Sequence, residues 1–250
     1  MALTEYRADL HVHTCLSPCA DWGMSPRRIV ARGRELGLDL IAVCDHNSAE
    51  NAAVLVQAGR EVGLSVLPGL EVCSREEVHL LTLFDEPDRA LQMQAAVYAR
   101  LPGTNRPEVF GHQIVATVAD EVLAENPRLL IGACDLALQE IQRTARNLGG
   151  LCVAAHVDRP ANGLLQQLGF IPAGLELDGA ELSRRTTPDD ARARWPELRG
   201  LTCIASSDAH FLEDIGRARS VLRLGSPTLA ELRLALRGAD GRGLVRCEVR

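Results

Sequence analysis

Aromatic side chains are scarce in this chain of 250 residues, where they make up 3% of the composition. This scarcity argues against a stacking platform for single-stranded nucleic acid, which needs several exposed aromatic rings. No apolar run is long enough to span a bilayer, and the first residues lack the apolar core of a signal peptide. We therefore expect a cytoplasmic protein with no membrane contact, whose eight cysteines remain reduced.

The chain also lacks an excess of positive charge. It has 27 basic and 33 acidic residues, which gives a formal net charge of −6. A mildly acidic chain binds a long phosphate backbone poorly, so the composition argues against nucleic acid as a partner. Small anionic substrates stay compatible, because three divalent ions would add about six positive charges at one place.

Apolar strand-like segments alternate with helical ones along the chain, and 46% of the residues are hydrophobic. Strands are predicted at about 8–13, 39–44, 64–72, 77–84, 151–156, 174–178 and 201–206. This repeat predicts an α/β fold, either a barrel or a doubly wound sheet, in one domain over 1–250. Residues 102–131 interrupt the rhythm and predict a small inserted β-hairpin.

Six of the seven histidines lie beside these apolar segments. They are His11, His13, His46, His79, His156 and His210. The carboxylates of Glu71 and Asp208 likewise lie in or beside these segments. Barrels build their active sites at the carboxyl ends of their strands, so the pattern favours a barrel with a metal site. So many imidazole and carboxylate groups exceed one tetrahedral site and predict two or three divalent ions.

These segments resemble the motifs of the PHP family, named for polymerase and histidinol phosphatase. The matching segments are ADLHVHTCLSP, IAVCDHNS, PGLEV, EEVHLL, AAH and ASSDAH, within about residues 8–218. The resemblance implies a distorted (β/α)7 TIM-like barrel, a trinuclear site of zinc, manganese or iron, and hydrolysis of phosphoesters.

The resemblance also implies how the ligands are shared among three metal ions. The first ion would be held by His11, His13, Glu71 and Asp208, the second by Glu71, His79 and His156, and the third by His46, His210 and one residue of the first loop. Family members place an aspartate or histidine in that loop, which is longer here. Asp21 is the predicted ligand, and Cys19 is its rival because a thiolate binds zinc well.

A metal-bound hydroxide is the expected nucleophile, since metal binding lowers the pKa of water from about 15.7 towards 7. The candidate catalytic residues are Asp45, Arg159 and His210. Asp45 could shuttle a proton or, as we favour, orient a ligand through a hydrogen bond. Arg159 follows His156 closely and is the favoured phosphate-binding arginine.

The predicted function is metal-dependent hydrolysis of a small phosphorylated substrate such as a nucleotide or a sugar phosphate. The alternatives are a 3′-5′ exonuclease of the PHP type and a metal-binding regulatory module without activity. Amidohydrolase barrels also open with His-x-His but usually add a bridging lysine, and this chain contains no lysine.

Overall fold

The computed structural model describes residues 2–249, so both ends of the predicted 1–250 domain lie outside the described part. The strands are β1 (Thr4–Val12), β2 (Leu40–Val43), β3 (Ser65–Cys73), β4 (His79–Leu83), β5 (Ile114–Ala116), β6 (Val122–Glu125), β7 (Leu151–Ala154), β8 (Gly179–Leu182), β9 (Cys203–Ala205), β10 (Ala218–Leu224) and β11 (Gly243–Val249). The helices are α1 (Pro26–Glu35), α2 (Ala52–Val62), α3 (Pro87–Tyr98), α4 (Pro107–Phe110), α5 (Leu138–Asn147), α6 (Leu164–Gln167), α7 (Pro188–Arg194) and α8 (Leu229–Leu236), and Pro196–Leu198 forms a 3-10 helix. Within residues 2–249, no helix could span a lipid bilayer.

Nine strands form one barrel-shaped sheet in the order β11-β10-β1-β2-β3-β4-β7-β8-β9. The sheet nearly closes where the hydroxyl of Ser220 on β10 bonds both the amide and the carbonyl of Ala205 on β9, at 3.0 and 2.9 Å. The predicted α/β barrel is thereby confirmed. It is a distorted one, because β4 runs antiparallel to both of its neighbours, β3 and β7.

The reversed direction of β4 decides where His79 lies. His79 is the first residue of its strand and pairs with Cys73, the last residue of β3. His79 therefore begins its strand, whereas His46 and His156 follow theirs. The start of an antiparallel strand meets the end of its partner, so His79 still reaches the edge where the other ligand candidates lie.

Side chains alternate between the barrel interior and the helical layer, as the two-residue period of a strand requires. On β2, Leu40 and Ala42 belong to the interior cluster, while Ile41 and Val43 pack with the helices. The interior cluster also takes in Leu232 of α8. Apolar packing therefore fills the barrel, and its polar groups gather at one mouth.

The predicted hairpin is present, with β5 and β6 paired antiparallel. It is tied to the loop that follows β1, because the amide of Ile114 donates to the carbonyl of Cys15 at 2.9 Å. Gly111 contacts the same loop with a φ of +102°, and a Cβ built there would lie 2.0 Å from the carbonyl oxygen of Pro18. This conformation and contact suit glycine alone.

The strand predicted at 174–178 is wrong by several residues. Gly174 forms a turn with a φ of +77°, and the strand in the sheet is β8. Asp178 stands just before it, where its carboxylate accepts the amide of Cys152 at 2.9 Å. The shift places Glu181 inside the barrel mouth.

Candidate metal centre

The structure brings together all eight residues that the sequence singles out from the strand segments. His11 lies on β1 with His13 just beyond it, His46 follows β2, Glu71 is on β3, His79 begins β4, His156 follows β7, and Asp208 and His210 follow β9. The seventh histidine, His112, lies apart in the hairpin segment, where its Nδ1 is 2.9 Å from Glu125. Histidine position in the sequence therefore identified the members of the cluster.

The first group of donors joins the end of β1 to the segment after β9. Nε2 of His11 and Nε2 of His13 are 3.1 Å apart. Oδ1 of Asp208 lies 3.5 Å from the first nitrogen and 3.2 Å from the second. Glu71 completes the group, with carboxylate oxygens 3.4 and 3.5 Å from the same nitrogens.

The second group surrounds the carboxylate of Glu71, which is 1% exposed. Its Oε1 lies 2.7 Å from Nδ1 of His79 and 2.9 Å from Nε2 of His156. Its Oε2 lies 2.9 Å from Nδ1 of His46. Glu71 thus contacts donors of both groups, as a bridging carboxylate would.

The third group consists of His13, His46 and His210, whose ring nitrogens lie within 4.8 Å of one another. Sγ of Cys19 is 3.3 Å from Nε2 of His46. Burial raises the pKa of the Cys19 thiol, but hydrogen bonds to His210 and His46 outweigh burial and lower the pKa to about 6.

Asp21, the predicted loop ligand, uses its side chain elsewhere. Its Oδ1 accepts the amide of Gly23 at 2.7 Å and caps its own turn. Its backbone amide donates to the carbonyl of His210 at 2.9 Å. The loop is therefore attached to the cluster through the Asp21 backbone. The side chain of this loop that contacts His46 is Cys19.

Glu181 is a buried site residue that the sequence did not reveal, because the predicted strand ended before it. Its Oε1 lies 3.1 Å from Nδ1 of His11 and accepts the amide of His156 at 3.1 Å. A carboxylate can only accept here, so Nδ1 of His11 carries the proton and Nε2 keeps its lone pair for a metal ion. The signal available was the acid in the short segment GAEL, which follows Asp178 directly.

Asp45 acts behind the cluster and not within it. Its carboxylate accepts the hydroxyl and the amide of Thr14 and the hydroxyl of Ser17, each at 2.7 Å. Because Ser17 donates to Asp45, its oxygen accepts from Nδ1 of His13 at 2.8 Å. Asp45 is therefore linked to His13 through Ser17, which is the geometry that the hydrogen-bonding role requires.

The charges of the buried groups follow from these contacts. Burial alone would lower the pKa of His11, but the carboxylates of Glu181, Glu71 and Asp208 raise it well above its usual value. Burial and the neighbouring His210 lower the pKa of His13 well below its usual value. Burial alone would raise the pKa of Glu71. The charges of His79, His11 and His46 outweigh burial and hold this pKa well below its usual value, so Glu71 is a carboxylate at neutral pH.

Two of these residues have backbone conformations that side chains rarely adopt. His156 has a φ of +27° and Asp208 a φ of +52°. Such conformations cost about 1–3 kcal/mol each and persist only where the surroundings enforce them. Both residues are turned towards Glu71 or His11 by this geometry, which links the strain to the site.

The donor set fits divalent metal ions. Nε2 of His11 and Nε2 of His13 face each other at 3.1 Å, where a cation bound by both nitrogens would replace the proton that a charged His11 shares with His13. Within the described residues, Glu71 Oε2 and His156 Nδ1 are buried and make no hydrogen bond, although Glu71 Oε2 lies close to His46. Imidazole with carboxylate suits zinc, manganese and iron alike.

A cavity of about 490 Å³ opens beside the cluster. Four arginines line it, together with His156, Glu181 and Asp208; they are Arg159, Arg184, Arg185 and Arg194. Asp158 anchors the segment that carries Arg184 and Arg185, because its carboxylate accepts the amide and hydroxyl of Ser183 at 2.7 and 2.6 Å. Arg159 itself pairs with Oδ2 of Asp208. Four guanidinium groups thus outnumber the three carboxylates of Asp158, Glu181 and Asp208 in the lining, so the cavity offers positive charge in spite of the acidic chain.

Comparison with known proteins agrees with this geometry. The model of the PHP domain matches residues 9–164, and that of a PHP-associated segment matches residues 191–240. A 5′-3′ exoribonuclease of Haemophilus influenzae is 32% identical over 82 residues, which cover 31% of this chain and 29% of that protein.

Two solved structures have a similar fold at low identity. The lesion-specific endonuclease PfuEndoQ of Pyrococcus furiosus is 19% identical with a TM-score of 0.75, over 98% of this chain and 58% of that one. A candidate metal-dependent phosphoesterase of Bifidobacterium adolescentis is 21% identical with a TM-score of 0.58, over 81% and 87%. The chain thus spans under two thirds of the exoribonuclease and of the endonuclease.

The match to the PHP domain covers more than half of the chain and contains six of the eight clustered ligand candidates. It confirms the family that the motifs predict and, at the level of the family, the predicted class of metal-dependent hydrolase. The chain belongs to the PHP domain family.

Proposed function

We propose that this protein is a metal-dependent phosphoesterase that hydrolyses a small phosphorylated substrate of nucleotide or sugar phosphate type. The observation that carries the proposal is the convergence of the His and carboxylate groups on Glu71 at the mouth of the barrel. A solitary structural ion would need only four such ligands.

The residues divide by ion as the family resemblance implies. The first site comprises His11, His13, Glu71 and Asp208; the second comprises Glu71, His79 and His156; and His46 and His210 belong to the third. Divalent ions held there would lower the pKa of bound water and neutralise phosphoryl oxygens. Zinc, manganese and iron are the candidate metals.

The arginine-lined cavity supports a phosphorylated substrate. Guanidinium groups bind phosphate oxygens in pairs, and four of them border one cavity beside the ligand groups. The hydroxyl of Ser206 is buried in the same lining and makes no hydrogen bond within residues 2–249, so a substrate oxygen would be its acceptor. Arg159 contacts Asp208 and would bind the phosphate closest to the metals.

Nucleic acid is the second candidate substrate, and the expectation that excludes it is not supported. A net charge is a sum over the chain, whereas substrate meets the local positive charge of the four arginines. The names of an exoribonuclease and of an endonuclease among the similar proteins point the same way. The experiment below therefore also tests for a 3′-5′ exonuclease or another nuclease activity.

The test compares three samples of the purified chain, which are untreated, chelated, and chelated with Mn²⁺ or Zn²⁺ restored. Each is offered a panel of phosphomonoesters and end-labelled single-stranded DNA and RNA. We expect turnover in the first and third samples only. Glu71→Gln should abolish turnover by removing the shared carboxylate, whereas exposed Glu61→Gln on α2 should leave it unchanged. Bound metal without turnover of any substrate would instead indicate a regulatory module.

A further inference from the structure

The loop after β1 presents a sulfur atom to the third donor group. Sγ of Cys19 lies 3.3 Å from Nε2 of His46, and the same loop contacts His210 through the backbone of Asp21. The loop has little freedom at this point, because the amide of Ala20 donates to Ser17 and that of Asp21 donates to His210, each at 2.9 Å. The sulfur therefore occupies a defined position.

Both histidines turn Nδ1 towards an oxygen atom. Nδ1 of His46 faces the carboxylate of Glu71 at 2.9 Å, and Nδ1 of His210 faces the carbonyl of Asp208 at 2.9 Å. Because Nδ1 of each ring faces an oxygen atom, Nε2 is the nitrogen of each ring that remains for a metal ion. A cation bound by Sγ of Cys19 and the two Nε2 atoms would take the place of the protons that these groups share without metal.

We propose that Cys19 is a thiolate ligand of the third metal ion, together with His46 and His210, and that it makes this position selective for zinc over manganese. The inference rests on the metal cluster of the proposed function. Sulfur is a soft donor that zinc binds well and that manganese and magnesium bind poorly. On binding, the thiol loses its proton to solvent and a bond between sulfur and the metal forms.

The carboxylate of Asp21 does not compete for this position, because it caps the turn at Gly23. Cys15 does not compete either, since it is buried with its sulfur towards the carbonyl of Ile114 at 3.8 Å. Cys19 is the exposed one among the eight cysteines.

The first experiment loads the metal-free chain with Co²⁺ and records its absorption spectrum. A thiolate ligand gives an intense charge-transfer band in the near ultraviolet that nitrogen and oxygen ligands do not give. We expect the band in the natural chain and in Cys247→Ser, whose thiol lies on β11 away from the cluster. We expect it to be lost in Cys19→Asp and Cys19→Ser. A band that persists in Cys19→Asp would overturn the assignment.

The second experiment measures ion content and thiol protection. After zinc loading, elemental analysis should show one zinc ion per chain fewer in Cys19→Ser than in the natural chain. Cys19→Asp should bind manganese at the third position. Iodoacetamide should label Cys19 in the metal-free chain and not in the zinc-loaded chain, while labelling of Cys247 stays constant. Equal labelling of Cys19 in both states would also overturn the inference, even if a variant failed to fold.

These outcomes separate the inference from the proposed function. A cobalt band that depends on Cys19, with no substrate turned over, would keep the ligand assignment and remove the phosphoesterase. Phosphate release by the cobalt-loaded chain without a thiolate band would do the reverse.

Discussion

Oε1 of Glu181 lies 3.1 Å from Nδ1 of His11 and 3.1 Å from the backbone amide of His156, so one buried carboxylate orients two ligand positions. It occupies the end of the His11 ring opposite Nε2, which faces Glu71. A carboxylate in this position fixes the tautomer of a metal-binding histidine and raises its basicity.

Replacing this carboxylate tests its effect on the metals. Glu181→Gln keeps the shape but removes the charge, and we expect the affinity for the first ion to fall about 10- to 100-fold. Competition with a chelator of known affinity measures it. Glu176→Gln, an exposed change a few residues earlier, is the matched control. Unchanged affinity in Glu181→Gln would mean that the tautomer of His11 is fixed by another group.

Arg159 should act on substrate affinity. Arg159→Gln removes a guanidinium at the border of the cavity and cluster, and we expect KM for a phosphoester to rise about tenfold, or about 1.4 kcal/mol. Steady-state kinetics with the preferred substrate measures it, with exposed Arg143→Gln on α5 as control. A fall in kcat at constant KM would instead show that Arg159 serves to position Asp208.

Asp45 should act on stability and on His13, without a proton-transfer step. Asp45→Asn keeps the size of the side chain but weakens three hydrogen bonds, and charged hydrogen bonds contribute about 1.5–3 kcal/mol each. We expect the free energy of unfolding to fall by about 2–4 kcal/mol in chemical denaturation. Exposed Asp85→Asn serves as the comparison. A new pH dependence of kcat with unchanged stability would favour the shuttle.

Gly111 should influence the third metal position through Pro18. Gly111→Ala places a Cβ 2.0 Å from the Pro18 carbonyl, so the loop that carries Cys19 must shift. Gly149→Ala is a strict control, because Gly149 also has a positive φ, of +80°, but no atom lies within 4 Å of its Cβ position. Both variants should lose about 1–3 kcal/mol of stability through backbone strain.

Only Gly111→Ala should also weaken binding of the third ion, as measured by zinc stoichiometry in elemental analysis. Equal stoichiometry in the two variants would show that the hairpin segment does not position the loop.

The sequence predicted the members of the cluster better than their surroundings. His11, His46 and His156 follow apolar segments, and strand ends converge in a barrel whatever the details of the loops. The direction of β4 could not be predicted from the hydrophobic pattern. A short polar turn at 74–77 allows the chain to reverse, and hydrophobic periodicity is the same for parallel and antiparallel strands. The choice between Asp21 and Cys19 was also open, because it depends on which way a side chain turns.

Glu181 was missed for a different reason. Its segment GAEL has no strong strand period, and the more apolar stretch before it attracted the prediction. In the structure Gly174 forms a turn, and the strand begins only after Asp178. The pairing of β8 with β7 and β9, which is a tertiary interaction, outweighs the local strand propensity of the stretch before it.

The attachment of the hairpin to the loop after β1, through Ile114 and Gly111, means that a change in one segment requires a matching change in the other. A chimera that receives residues 102–131 from a relative would carry over a support shaped for that relative's loop. Engineering of substrate range in this part of the molecule would thus alter its metal content at the same time.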